Sequence, residues 1–196
     1  PPLPDGMSSG ILYGIWGSAA DNVFVVGAGN KGAQNLPLLY SWNGTSWASS
    51  TLPLPTGWRS GSLKGIWGSA INNIYAVGNG ENGSANVPML HHWNGTSWAA
   101  SGLPALPTGV NPGYLSGIWG SASSDIYAVG HGFKGTTLVP LLYHKDGIGW
   151  SESSSSLPTT GWSSGFLYGV WGASFKAVYA IGAGHNGCRD MPLLYY

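Results

Sequence analysis

Charge, cysteine and long apolar runs are all scarce in this chain, and each scarcity removes a class of function. Among 196 residues there are seven Lys and Arg and seven Asp and Glu. So sparse and balanced a set carries no net field to attract a phosphate backbone or an anionic membrane surface, and nucleic acid is not an expected partner. Cys188 is the only cysteine. It can close no disulfide within the chain and contribute to no thiolate cluster, and the expectation is a small buried hydrophobe rather than a reactive thiol. The longest apolar runs, such as Val23-Phe24-Val25-Val26, are of strand length. They fall far short of the roughly 20 residues that a membrane helix needs, so no membrane span is expected. Pro1-Pro2-Leu3-Pro4 shows neither an initiator Met nor a signal-peptide pattern, which fits a processed secreted protein or a piece of a longer chain.

What is abundant points one way. Thirty-three glycines, 13 prolines, 11 tryptophans and 10 tyrosines describe a turn-dense, aromatic, all-β protein with almost no helix. Low charge with many Ser, Thr, Gly and Asn leads to the expectation of a secreted or cell-surface location.

The chain repeats. Trp16, Trp67, Trp119 and Trp171 each sit in Gly-(Ile/Val)-Trp-Gly, at intervals of 51, 52 and 52 residues. A glycine follows each Trp by eleven residues (Gly27, Gly78, Gly130, Gly182), and a proline follows that glycine by ten (Pro37, Pro88, Pro140, Pro192). The units run approximately over 1–51, 52–103, 104–155 and 156–196, the last incomplete, within one repeat domain covering 1–196. Each complete unit reads as four short strands: one around 12–16, one at Val23-Phe24-Val25-Val26 and its copies, one after the proline, and one around Trp47. Asn43-Gly44 and Asn94-Gly95, with Asp146-Gly147 in the third copy, predict type I′ hairpin turns. The fold expected is a β-propeller of four-stranded antiparallel blades, four repeats visible, with the last blade lacking its outer strand. The alternative is a β-solenoid-like array, which fits less well because solenoid coils are usually shorter and need no hairpin in each repeat.

The strings Gly14-Ile15-Trp16-Gly17-Ser18, Asp125-Ile126-Tyr127-Ala128-Val129-Gly130, Leu141-Leu142-Tyr143 and Trp93-Asn94-Gly95-Thr96-Ser97-Trp98 together resemble a known family. It is the bacterial β-propeller repeat written WGSxxxDVYAVG…HWNGxxW, loosely labelled kelch-like. The likeness covers nearly the whole chain and implies secreted or surface proteins. The fourth copy departs from it, with Lys176-Ala177 in place of the acidic or amide pair.

Chemistry is harder to find. Every unit contains G-x-G-x-x-G, but a proline and another strand follow where a nucleotide fingerprint needs a helix, so a glycine-rich loop is expected and no cofactor. The five histidines do not recur at one repeat position and have no metal-ligand spacing, so no metal site is expected. No Ser-His-Asp order or carboxylate pair is readable, and the chain is expected not to be an enzyme. The candidate ligand-binding residues are Trp58 and Trp162, whose connector rings can stack on a sugar or cover the blade beneath, and the glycine-segment residues Asn30, Asn79, His131 and His185. The candidate assembly edge is Leu193, Leu194, Tyr195 and Tyr196, because no hairpin or outer strand follows them and an open apolar edge invites another chain.

Three functions follow as expectations. The first is a non-catalytic extracellular structural, assembly or protein-interaction module, whose partners are other copies of itself or the rest of a longer chain. The second is a lectin-like, multivalent module for glycans. The third is a non-catalytic domain of a larger secreted enzyme.

Overall fold

The computed structural model describes residues 1–157 and 161–195. Among these the chain is all-β, with one 3₁₀ turn at Ser154–Ser156 and no α-helix. The strands form four antiparallel, blade-like sheets, each laid down in chain order. The first contains β1 (Ser9–Ala19), β2 (Asn22–Lys31), β3 (Gln34–Trp42) and β4 (Trp47–Thr51). The second contains β5 (Ser60–Ala70), β6 (Asn73–Glu81), β7 (Asn86–Trp93) and β8 (Trp98–Ser101). The third contains β9 (Val110–Ala122), β10 (Asp125–Lys134), β11 (Thr137–Lys145) and β12 (Trp150–Glu152). The fourth has three strands among the described residues, β13 (Ser164–Ser174), β14 (Ala177–His185) and β15 (Asp190–Tyr195).

The sheets stack in a row along their first strands: β1 packs beside β5, β5 beside β9, and β9 beside β13. Period-two alternation on the second strand of each sheet builds the stack. Phe24 and Val26 face the second sheet, where they meet Leu63, Ile66, Ile74, Ala76 and Met89. Their register equivalents Tyr75 and Val77 meet Leu115, Ile118, Ile126, Ala128 and Leu141 of the third. Val129 meets Leu167 and Ala180 of the fourth. A strand sandwiched between two sheets is apolar on both faces, and that is why these runs read as continuous rather than alternating.

Three local expectations are corrected. The G-x-G-x-x-G segments are not loops: β2 runs through Gly27-Ala28-Gly29-Asn30, paired with β1 from Leu12 to Ser9, and only Gly32 lies in the turn, at φ +61°. His131 is therefore a strand residue and His185 ends one. The hairpins are not type I′, which needs positive φ at both central residues, for no residue but glycine has positive φ among the described residues. Instead four-residue loops are held by the Asn43 side chain, whose Oδ1 accepts from the backbone N–H groups of Thr45 and Ser46 at 3.0 and 2.9 Å. Asn94 repeats this and Asp146 does the same in the third copy, so an Asx turn performs the reversal. Cys188 is exposed rather than buried: it sits in such a loop, its N–H bonded to Asn186 Oδ1 at 3.1 Å. The fourth copy keeps the two-residue connection between its first two strands despite Lys176-Ala177.

Candidate functional site

The register of each first strand slips by one residue where it faces the recurring glycine. Leu12 pairs with Gly27 and Gly14 with Val26, which leaves Tyr13 as the extra residue of a β-bulge. The slip recurs between Leu63 and Gly65, between Leu115 and Gly117, and between Leu167 and Gly169, leaving Lys64, Ser116 and Tyr168. The glycine makes this possible. A β-carbon on Gly27 would stand 2.0 Å from the Ile11 carbonyl oxygen, and one on Gly78, Gly130 or Gly182 would stand equally close to the backbone opposite. Bulges re-aim the side chain they carry, and here all four aim at one place.

That place is a cavity of about 360 Å³, lined by Tyr13, Lys64, Asn79, Tyr114, Leu115, Ser116, His131 and Tyr168, so that every sheet contributes. The Lys64 ammonium lies 3.3 Å over the centroid of the Tyr13 ring, a cation–π contact. Tyr114 stacks on His131 at 5.0 Å, and Phe133 and Phe166 meet the same imidazole edge-on at 6.0 Å. His131 Nδ1 is buried with no hydrogen-bond partner, and burial holds the imidazole below the ordinary histidine pKa, hence neutral at pH 7. Asn79 is turned toward Asn86, to whose Oδ1 it donates at 3.1 Å. The lining thus offers flat aromatic faces, one cation, one amide and one neutral imidazole. It suits a polar ligand with a hydrophobic face.

The chain matches no protein-family model and no curated protein.

Of the six ligand-binding candidates, the structure brings Asn79 and His131 together and leaves four elsewhere. Asn30 and His185 occupy a common register position two residues further along their strands. Asn30 donates to Ser9 Oγ at 2.9 Å, and His185 Nδ1 lies 3.2 Å from Asp190 Oδ1, both at the exposed rim. Trp58 lies on Gly80, where a β-carbon would stand 2.5 Å from its ring, as Met7 lies on Gly29 in the first copy. It also lines a separate groove with Pro55, Met89 and Leu103. Trp162 hydrogen-bonds with the Tyr195 hydroxyl. Leu193, Leu194 and Tyr195 lie on β15, while Tyr196 is outside the described residues.

One constellation was not visible in the sequence. Ser121 donates to one oxygen of Asp125, and His144 Nε2 contacts the other at 2.8 Å while its ring stacks on Tyr127 at 4.3 Å. Burial would raise the Asp125 carboxyl, but hydrogen bonds from Ser121, His144 and Tyr127 outweigh it and hold the group below the carboxylate range. The same burial and the adjacent carboxylate push Tyr127 up to about 12. The Ser121 and His144 hydrogen bonds both run to the carboxylate and none joins the imidazole to the Ser121 hydroxyl, so the trio lacks the Ser–His contact that activates a nucleophile. Ser69, Asn73 and His92 form the amide version in the second copy, where the device pins the turn between first and second strands. Among the described residues no group of three or more His, Cys, Asp and Glu is placed to hold a metal ion, and no helix is long and apolar enough to cross a membrane.

Sequence reasoning passed over Tyr13, Lys64, Tyr114 and Tyr168. The available signal was positional: 13, 64, 116 and 168 each stand just before the glycine of the Gly-(Ile/Val)-Trp-Gly motif, and their variation between copies disguised a shared location.

Proposed function

We propose that the chain is a β-propeller-type module that acts outside the cell, at the surface or secreted, without catalysis, and whose work is to join polypeptides into a larger structure. One observation carries this reading: sheet after sheet is joined by the same contact, an indole of one sheet on a glycine of the next, with Trp16 on Gly68, Trp67 on Gly120 and Trp119 on Gly172, a repeating junction suited to building a larger assembly. The likeness of the repeats to bacterial surface propellers agrees with it. Hydrogen exchange tests it: the peptides of β1 and β13 should be protected in concentrated solution and lose that protection on dilution. Fast exchange at all concentrations, in a chain that stays monomeric, overturns the reading.

A second reading, a glycan-binding module, is favoured by the bulge-lined cavity with its aromatic faces, Lys64 and the unpartnered Nδ1 of His131. Saccharides would stack on Tyr168 or Tyr114. Titration with neutral and acidic oligosaccharides should perturb resonances of these residues, and Tyr168→Ala should weaken binding about tenfold. Absence of any saturable shift at millimolar sugar removes this reading and leaves the first untouched.

A further inference from the structure

The polar chemistry of the bulge-lined cavity is concentrated on the second and third sheets, and its charge has one sign. Lys64 is the only charged residue in the lining, and no carboxylate accompanies it. Among the described residues the ion pairs are His144 with Asp125 and His185 with Asp190, so the Lys64 ammonium has no acidic partner. The equivalent bulge positions hold Tyr13, Ser116 and Tyr168. The cation therefore enters the cavity once. The Tyr13 ring, 3.3 Å from the ammonium to the centroid, holds that charge in place. A ring face attracts a cation without satisfying all three of its N–H donors, which leaves donors free to turn toward an anion.

Two unmet polar atoms stand in the same region. His131 Nδ1 is buried without a partner, and burial keeps the imidazole neutral at pH 7. Ser62, opposite Asn79 in the strand ladder, is 7% exposed and its hydroxyl is equally unpartnered. Asn79 gives one N–H to Asn86 Oδ1 and keeps its own amide oxygen for another donor. Tyr114, stacked on His131, supplies a flat wall. One ammonium among neutral donors and acceptors matches a single carboxylate, whereas a dianion such as a phosphate monoester would leave a charge unpaired in the cavity. A volume of about 360 Å³ is at the small end of ligand pockets, with room for the end of a saccharide rather than a buried chain.

We propose that this cavity selects acidic saccharides, taking the carboxylate of a hexuronic acid unit on Lys64, its sugar ring against Tyr114, and its hydroxyls on His131 and Asn79. The proposal rests on the glycan reading above and names the ligand class of that site. Lys64 decides between acid and neutral sugar, because a charge-assisted bond is made only with the acid, and the stacking and hydroxyl contacts are common to both.

Calorimetric titration of the whole chain tests it with oligogalacturonate and oligoglucuronate, each beside its neutral methyl ester. At least one acid should bind at least about tenfold more tightly than its ester, the effect of one charge-assisted bond. Lys64→Gln should bring that acid down to the affinity of the ester and leave the ester unchanged, and Lys64→Arg should keep the preference. Lys176→Gln, which removes an exposed cation outside the cavity, should keep it too. Circular dichroism melts confirm that each variant folds, and Lys64→Met replaces Lys64→Gln if the latter melts early. Acids and esters that bind equally, or a preference that survives Lys64→Gln or is lost in Lys176→Gln, overturn the selection by Lys64 and leave the glycan reading standing. No saturable binding of any acid or ester overturns both.

Discussion

The indole of Trp16 lies over Gly68 so closely that a β-carbon on that glycine would stand 2.8 Å from Cζ2. The junction between the first two sheets is therefore closed by the absence of a side chain. Gly68→Ala should force the ring or the sheet to move and cost about 1–3 kcal/mol, the range for overpacking a close-fitted core. Gly17→Ala, at the same repeat position without an indole above it, should cost clearly less. Urea unfolding of the two variants measures the difference, and equal costs would show that the indole contact does not govern the site.

The buried hydroxyls of the third strands make a second comparison. Tyr40 donates to the Pro2 carbonyl at 3.0 Å, while the Tyr143 hydroxyl is buried without a partner and pushed well above the ordinary tyrosine pKa by burial and by Glu152. Removing a satisfied hydroxyl typically loses about 1 kcal/mol, whereas removing an unsatisfied one relieves a desolvation cost. Tyr40→Phe should lower the unfolding midpoint, and Tyr143→Phe should leave it unchanged or raise it.

Acid should destabilise the fold before any carboxylate titrates. His91 is fully buried, its Nε2 2.7 Å from the Pro53 carbonyl, and burial lowers its pKa from the ordinary 6.5 more strongly than that bond raises it. His92 and His131 are lowered too, by burial and, for His92, by Lys145 as well. Between the depressed folded pKa values and 6.5 the unfolded chain binds protons that the folded chain does not, so stability falls as pH drops through that window. Thermal melts from pH 7.5 to 5 should show a declining midpoint. His91→Tyr, which installs the residue found at positions 40 and 143, should flatten part of the decline.

Loop chemistry supplies a fourth test. Asn43 Oδ1 accepts two backbone N–H groups, so Asn43→Ala leaves both to water and should cost about 0.5–1.5 kcal/mol. Asn43→Asp, the choice made by the third copy at Asp146, should be tolerated. A type I′ turn would instead be insensitive to the side-chain acceptor and sensitive to φ.

Repeats of fifty-odd residues with recurring Trp, Gly and Pro made the four sheets and their strand order readable in advance, because strand periodicity and turn chemistry are local properties that each unit carries by itself. The cavity was half readable. Asn79 and His131 stood out as unusual residues in a glycine segment, but Tyr13, Lys64 and Tyr168 became neighbours only through a bulge whose cause is the approach of a carbonyl to Gly27, Gly78 or Gly182 across the sheet.

By itself the sequence determined that each unit is a small antiparallel sheet and that Asn or Asp turns the chain at 43, 94 and 146, whereas the third strands begin two or three residues before Pro37 and its copies rather than after them. Only the stacked structure decided which of the equivalent side chains are covered. Ile15 and Ile66 occupy the same place in their repeats, yet one is 68% exposed and the other buried, because burial depends on the neighbouring sheet and the first has none on that side. Likewise Trp16 and Trp171 are alike in motif and differ in surroundings. Local pattern specifies what a residue is able to bury against, and the tertiary arrangement supplies or withholds the surface that covers it.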